Sequence, residues 1–128
     1  MPPLGPEQAR ALLPYVDAAR WRGNFPVGLR DGALLSLIAA GLTAEEIAVL
    51  RATAITLEGG RLHVTIDRFG MVYIIILTPD MASRLLAWVT ERRLWSTDEL
   101  VLSSPEGPIT PNGIWLVLHR YRQEKENA

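Results

Sequence analysis

The residues of this chain best suited to chemistry are its arginines, because a guanidinium can contact phosphate oxygens. Of the 13 basic residues only Lys125 is a lysine. Three pairs of arginines lie close together in the sequence: Arg20 with Arg22, Arg92 with Arg93, and Arg120 with Arg122. Acidic residues lie near most of these pairs. Each pair therefore has two alternative roles, phosphate contact or an ordinary solvated surface.

Thr43 and Glu46 form the pattern of a helix start. In such a capping box the Thr43 hydroxyl accepts from the backbone N–H of Glu46, and the Glu46 carboxylate reaches back to the backbone N–H of Thr43. The pattern predicts a helix over about residues 44–52. Capping accounts for both side chains, and a weak phosphate contact through the Thr43 hydroxyl is the alternative.

Histidine and cysteine offer no metal or nucleophile site. The chain has no cysteine, which excludes disulfides, thiolate ligands and a cysteine nucleophile. His63 and His119 are too far apart for metal-ligand spacing, and we expect each in a surface or core role. No metal and no cofactor are predicted.

A ten-residue segment, residues 41–50, reads Gly-Leu-Thr-Ala-Glu-Glu-Ile-Ala-Val-Leu. It resembles the first active-site motif of the tyrosine recombinases, or phage integrases, which reads Gly-Leu-Arg-x-x-Glu-Leu-x-x-Leu. Residues 4–13, 28–35 and 54–60 resemble the family's opening helix, its second helix and the strand after the motif. The resemblance spans about residues 4–121 and covers only the amino-terminal part of the family's catalytic domain.

The resemblance implies DNA strand transfer without metal or cofactor, with most of the catalytic groups missing. In the family a tyrosine attacks the phosphodiester, two arginines with a histidine or tryptophan stabilise the charge on phosphorus, and a hairpin lysine protonates the leaving oxygen. Thr43 stands at the first arginine's position. Arg68 falls near the lysine's position, but arginine does not deprotonate in proteins and is excluded as a general acid. Residues 119–122 read His-Arg-Tyr-Arg, but they belong to the helix that would precede the family's His-x-x-Arg segment, and the chain stops soon after it. No counterpart of that segment is therefore expected, and none of Tyr15, Tyr73 and Tyr121 matches the tyrosine motif. We therefore expect no catalytic residue and no enzyme activity from this chain alone.

DNA contact remains open within the resemblance. The candidate residues are Arg61, Arg68, Arg92, Arg93, Arg120 and Arg122. Arg68 is either a phosphate contact or a solvated turn residue. Glu46 matches the acid that supports the family's first arginine, but without that arginine the capping role is the simpler one. The formal net charge of −1 counts against strong, sequence-independent binding of nucleic acid.

The helices predicted from the sequence carry apolar stripes. Pro14 interrupts the first of them and predicts a bend or two short helices. Residues 23–26 predict a loop, and residues 29–40 a central helix that is apolar on most sides. Two later helices begin at the Thr-Pro steps of residues 78–79 and 110–111.

A small antiparallel sheet is predicted between these helices. Residues 61–67 alternate apolar with polar, the period of a half-buried strand. Residues 68–70 form a hairpin turn, and the almost continuously apolar residues 71–77 suit a strand covered on both faces or at an interface. Residues 55–57 supply the third strand.

Length and composition indicate one domain, residues 1–122, with a polar, frayed tail at residues 123–128. No secretory signal and no apolar run long enough for a membrane span is present, so a soluble cytoplasmic protein that contacts no membrane is expected. The predicted fold class is mixed α/β (α+β). We expect mainly a helical bundle with a small three-stranded antiparallel sheet, like the front half of a tyrosine recombinase catalytic domain.

The expected function is that of a catalytically inactive, truncated recombinase relative that binds DNA or modulates a recombination complex, from a mobile element or phage remnant. One alternative is a protein-interaction module or inhibitor on the same scaffold without DNA binding. A second is a helix-turn-helix regulator over residues 41–56, although residues 58–61 begin a hairpin where a recognition helix would continue. The apolar strand at residues 71–77 and the surface around Trp115 and Leu116 predict a homodimer or a protein partner.

Overall fold

The computed structural model describes residues 5–19, 25–95, 97–104 and 107–127. The helices in these parts are α1 (Pro6–Ala19), α2 (Phe25–Ala39), α3 (Ala44–Ala48), α4 (Pro79–Glu91) and α5 (Pro111–Glu126). The main sheet is antiparallel, with β1 (Ile55–Glu58), β2 (Arg61–Arg68) and β3 (Met71–Ile76) in that order. A minor hairpin joins β4 (Ser103–Ser104) to β5 (Gly107–Pro108). This architecture confirms the predicted mixed α/β fold class.

The helix α2 is the centre of the core. Every residue from Asp31 to Ala39 is buried, and α2 packs against α1, α4, α3 and α5. A helix that is apolar on most sides requires neighbours on most sides, as the sequence predicts. The helix begins at Phe25, so Phe25 and Pro26 are helical and the predicted loop is wrong there. Residues 23–24 lie outside the described part of the chain.

The helix α1 is continuous through Pro14, so the predicted division into two short helices is wrong. Proline lacks the N–H that would donate to the carbonyl of Arg10, at a cost of about 3 kcal/mol in a helix interior. Pro14 itself is exposed, whereas Leu13 and Val16 beside it are buried in the core. Fully burying an aliphatic side chain contributes about 1.5 to 3 kcal/mol, which offsets the lost bond.

The helix α3 ends at Ala48 rather than near residue 52. The reason is competition from another segment, since Leu50 accepts a hydrogen bond from Val101 N–H and Ala52 N–H donates to Glu99, both at 2.8 Å. A short 3-10 turn (Ala52–Ala54) then leads into β1. No second helix follows α3 before the sheet in this described stretch, so the helix-turn-helix alternative is wrong.

The strand β2 has one face on the core. Leu62, Val64 and Ile66 are buried, in the alternation that the sequence predicts. The turn to β3 is made by Phe69 and Gly70, both with positive φ, 53° and 79°. This pair of left-handed residues is typical of a two-residue hairpin whose twist matches its strands.

The strand β3 lies at the edge of the sheet and is mostly exposed. Leu77, just beyond its end, is buried and Ile75 is half-buried, but Tyr73 and Met71 on the same face are exposed. The helices therefore cover only one end of the strand. The prediction of burial on both faces is wrong for this chain, and the interface alternative stays a prediction.

The last two helices begin at the predicted threonines. Thr110 caps α5 by accepting from Gly113 N–H at 3.0 Å. Thr78 is the N-cap of α4, but its hydroxyl donates to the Asp80 carboxylate at 2.6 Å instead of accepting from the backbone. The helix α5 continues to Glu126, so most of the predicted tail is helical rather than frayed. Among the described residues no helix is long and apolar enough to cross a membrane.

Candidate functional site

Arg68 and Glu46 form an ion pair between the β2–β3 hairpin and α3. Arg68 Nε donates to Glu46 Oε2 at 2.7 Å, and Arg68 Nη2 donates to Glu46 Oε1 at 2.9 Å. Nη2 also donates to the carbonyl of Gly41 at 2.6 Å. Two parallel bonds between a guanidinium and a carboxylate fix their orientation as well as their distance. The pair therefore holds the hairpin against the start of α3.

Alternation along β2 explains why Arg68 reaches Glu46. Leu62, Val64 and Ile66 face the core, and the same period of two turns Arg68 to that face. At this end of the strand the neighbour is the polar start of α3 rather than the apolar core. The Arg68 side chain is 34% exposed and that of Glu46 is 15% exposed, so the pair lies at the protein surface.

Thr43 is the N-cap of α3, as predicted. Glu46 N–H donates to Thr43 Oγ1 at 3.2 Å, and Thr43 N–H donates to Glu46 Oε1 at 2.9 Å. Glu46 Oε1 therefore accepts from both Thr43 and Arg68. Sequence reasoning identified the capping role of Glu46 and missed the pairing role, because the pairing residue is 22 positions away.

The two charges stabilise one another. The hydrogen bond from Arg68 lowers the pKa of Glu46 from its ordinary value of 4.5, and the backbone bond from Thr43 acts in the same direction against the effect of burial. The hydrogen bond to Glu46 in turn raises the pKa of Arg68. Both groups are therefore charged at neutral pH, and the pair has no formal net charge.

Arg68 keeps one amino group for a further partner. A guanidinium has five N–H donors, and those on Nε and Nη2 are the ones bonded to Glu46 and Gly41. Within the described residues no acceptor is hydrogen-bonded to Nη1. The ring of Tyr73 lies 6.0 Å from Arg68 Cζ. The arrangement can bind an oxyanion such as phosphate at Nη1, and the guanidinium itself does not deprotonate in proteins.

The structure does not bring Arg61 and Arg68 together. They lie at opposite ends of β2, a separation of roughly 23 Å at about 3.3 Å per residue. Arg61 is exposed and stands directly across from Glu58 on β1. An opposite charge on the neighbouring strand makes a solvated surface role sufficient for Arg61.

Arg92 and Arg93 follow α4 and are both exposed. Arg92 is the C-cap residue, and its guanidinium carbon lies 5.7 Å from the centre of the Trp88 ring. Arg93 has a left-handed backbone, with φ of 54°. The two arginines therefore lie at the end of α4, away from the ion pair of Arg68 and Glu46.

Arg120 is bound to a buried carboxylate. Asp31 in α2 is completely buried, and its Oδ2 accepts from Arg120 Nη2 and from the Tyr121 hydroxyl, the latter at 2.6 Å. Its Oδ1 accepts from Arg30 Nε at 3.0 Å and Nη2 at 2.9 Å. This cluster joins α5 to α2. Sequence reasoning missed it, and the available signal was an acid inside a mostly apolar helix.

Arg122 and the three tyrosines lie at different places in the fold. Arg122 stands two residues beyond Arg120, about 200° around α5, so the two face different ways. Tyr121 is buried as predicted, and burial together with the bond to Asp31 raises the pKa of its hydroxyl. A raised pKa opposes formation of the phenolate nucleophile. Tyr15 is half-buried and Tyr73 lies on exposed β3.

The two histidines lie apart. His63 Nδ1 is 3.6 Å from the carboxylate of Glu58, and His119 stacks on Trp115 with ring centres 5.5 Å apart. Trp115 is half-buried and Leu116 is exposed. The described parts of the chain contain no group of three or more histidine, aspartate or glutamate residues that could hold a metal ion.

The fold of this chain is similar to that of a solved recombinase structure. No family model matches the chain, and no curated protein matches it. Its helices and three-stranded sheet are consistent with the fold of a portion of a recombinase catalytic domain. The chain is similar to the XerH site-specific recombinase, solved bound to its difH substrate in a pre-cleavage complex, with a TM-score of 0.69 and 23% sequence identity. The match covers 92% of this chain and 35% of the XerH chain.

Proposed function

We propose that this protein is a non-cleaving relative of the tyrosine recombinases that contacts DNA phosphate through Arg68. The observation that carries the proposal is the partner of Glu46. At the motif position where the family's acid supports an arginine, Glu46 holds the guanidinium of Arg68. A fixed cationic group thus stands beside the start of α3 even though residue 43 is threonine. The XerH structure contains its difH substrate, which supports DNA as the class of partner.

The proposal includes no strand cleavage. Thr43 cannot supply the charge of the missing arginine, and Arg68 cannot protonate a leaving oxygen. Tyr121 is buried, and its hydroxyl donates to Asp31. A protein with these features would occupy or modulate a recombination complex in the cytoplasm rather than catalyse its reaction.

The proposed binding is weak and decreases with salt. The formal net charge is −1, and Glu46 compensates the charge of Arg68 within the site. Each phosphate contact contributes roughly one unit to the slope of log affinity against log salt. With one fixed arginine and few neighbours, we expect measurable binding only at low ionic strength.

Titration of labelled DNA duplexes at low salt tests the proposal. Arg68→Ala should weaken binding several-fold on unrelated sequences alike, because a phosphate contact carries no base information. Arg61→Ala is the matched control, since it changes the net charge equally from the other end of β2 and should leave the affinity unchanged. Equal affinity for wild type and Arg68→Ala, or no binding of the wild type at low salt, would contradict the proposal.

A protein-interaction module is the second candidate, favoured by the apolar surface of the hairpin. Phe69 at its tip is fully exposed, at 105% of the reference area, and Met71, Val72 and Ile74 are each more than 60% exposed. Contiguous exposed apolar residues often mark an interface. On this reading the chain acts as a homodimer or with a protein partner, and DNA binding is absent.

A further inference from the structure

The edge of β3 that faces away from β2 carries no charged side chain, and no other strand among the described residues pairs with it. The six residues of β3 read Met-Val-Tyr-Ile-Ile-Ile, and their pairing with β2 continues from Met71 to Ile76 without a bulge. Proteins usually protect such edges with charges, proline or bulges, and β3 has none of them. The opposite edge strand, β1, is shorter and carries Glu58. The edge of β3 is therefore open to another strand.

The hydrogen bonds to β2 decide which backbone groups β3 leaves free. Leu77 N–H donates to the Leu62 carbonyl at 3.0 Å, so these two residues are a hydrogen-bonded pair. Hydrogen-bonded and non-hydrogen-bonded pairs alternate along an antiparallel ladder. Counting back in steps of two, Val72, Ile74 and Ile76 turn their N–H and C=O groups away from β2. These three residues form the free hydrogen-bonding edge.

We propose that this edge pairs antiparallel with the β3 edge of a second copy of the chain, about a twofold axis at Ile74. Only residues whose backbone N–H and C=O groups point away from β2 can form hydrogen bonds to the second copy. A twofold axis at Ile74 uses all three such residues, Val72, Ile74 and Ile76. Ile74 then faces Ile74 of the second copy, and Val72 faces Ile76. The result is one continuous six-stranded sheet shared by two copies.

Side-chain chemistry selects a second copy as the occupant. In this register Tyr73 faces Ile75 of the second copy, a favourable pairing of an aromatic with a β-branched side chain. All the facing pairs are apolar. The edge has no charged side chain that would attract a charged strand or repel the same side chain of the second copy. The strand is thus complementary to itself. This inference deepens the interaction-module candidate and does not depend on DNA binding.

Disulfide trapping tests the register. The chain has no cysteine, so Ile74→Cys introduces a single thiol at the axis. Facing Cα atoms of a hydrogen-bonded pair are about 5.5 Å apart, within the range that a disulfide spans. Val72→Cys is the matched control, because its two copies would be roughly 13 Å apart along the strands. Mild oxidation should cross-link Ile74→Cys and not Val72→Cys. Equal cross-linking of both variants, or of neither, would overturn the register.

Sedimentation at micromolar concentration tests the assembly itself. Wild type should sediment as a dimer of the 14.2 kDa chain. Ile74→Lys, which places two like charges at the axis, should sediment as a folded monomer. Ile74 is 62% exposed, so the fold tolerates lysine there. Leu57→Lys on β1 makes the same change at a side chain 63% exposed and should remain dimeric. A monomeric wild type or a dimeric Ile74→Lys defeats the inference. Arg68→Ala should lose DNA affinity and remain a dimer. That combination of results distinguishes dimer formation from the phosphate contact, so the two proposals can fail separately.

Discussion

Glu46 combines two tasks at the start of α3. Its carboxylate completes the capping box with Thr43 and also holds Arg68 of the hairpin. Arg68 is therefore not a freely solvated turn residue. One carboxylate oxygen accepts from both partners, so the loss of Glu46 should release the helix cap and the hairpin together.

The lowered pKa of Glu46 makes its contribution depend on pH. Because the pKa in the folded state lies below the ordinary value of 4.5, the charged pair stabilises the protein above pH 4.5, and this stabilisation is lost as the pH falls through the folded-state pKa. Glu46→Gln should lower the free energy of unfolding by roughly 1 kcal/mol at pH 7. That difference should shrink by pH 3 in urea unfolding. Glu45→Gln, at the exposed neighbour, is the control and should show neither effect, and a pH-independent difference for Glu46→Gln would count against the charged pair.

At the scale of elements, the tip of the β2–β3 hairpin carries an unusual residue. Phe69 has a φ of 53° and is fully exposed. A left-handed backbone is unfavourable for a bulky residue by roughly 1 to 2 kcal/mol, and Phe69 recovers no burial in return. Its position beside Arg68 and β3 is consistent with a contact to a partner made from the hairpin.

Phe69→Asn should raise the stability of the isolated protein by about 0.5 to 1 kcal/mol. Asparagine tolerates the left-handed region, and Asn-Gly is the favoured pair for this turn. The measurement is the thermal or urea midpoint of the variant against wild type. Val72→Asn, an exposed position in extended backbone, is the control and should not stabilise. A less stable Phe69→Asn would show that the Phe69 ring makes contacts that its full exposure does not indicate.

The contact between α2 and α5 depends on the buried Asp31. Asp31→Ala removes the acceptor of the buried Tyr121 hydroxyl and of two arginines, and should cost about 3 kcal/mol of unfolding free energy. Tyr121→Phe removes one hydroxyl and leaves both arginines bound to Asp31, so it should cost about 1 kcal/mol. Urea unfolding of both variants measures the difference. Equal effects would contradict a cluster centred on the carboxylate.

At the scale of the whole molecule, the chain has a fold similar to part of the XerH recombinase, and the match covers 35% of the XerH chain. The apolar surface left on the hairpin and around Leu116 lies outside the core of this portion. We infer that the scaffold is retained for contact, with DNA or with protein, rather than for strand transfer.

Incubation with nicked suicide substrates should give no covalent DNA adduct. Thr43 lacks the charge needed to hold the scissile phosphate, and burial with the Asp31 bond keeps Tyr121 protonated. The measurement is a search for a protein–DNA band that survives denaturation, with an active tyrosine recombinase run in parallel as the positive control. A band that disappears when one tyrosine is replaced by phenylalanine would establish cleavage and overturn the proposal.

Local patterns in the sequence determined many of the elements. The capping box at Thr43, the cap at Thr110 and the alternation that buries Val64 all depend on residues a few positions apart, so the sequence alone predicts them. The mixed α/β fold class follows from the order of these elements. The same local reasoning failed at Pro14 and at the end of α3, where burial and pairing with a distant segment outweigh local preference.

Only the tertiary structure decided which side chains meet. Arg68 contacts Glu46, 22 positions away, and Arg120 contacts Asp31, 89 positions away. No local pattern in the sequence therefore distinguishes Arg68, which pairs with a motif residue, from Arg120, which joins α5 to α2. The apolar run of β3 likewise does not show whether it is covered, because coverage depends on where the helices end relative to the sheet. The periodicity of the sequence specifies on which face of a helix or strand a side chain lies. The packing of elements distant in the sequence specifies what that side chain contacts.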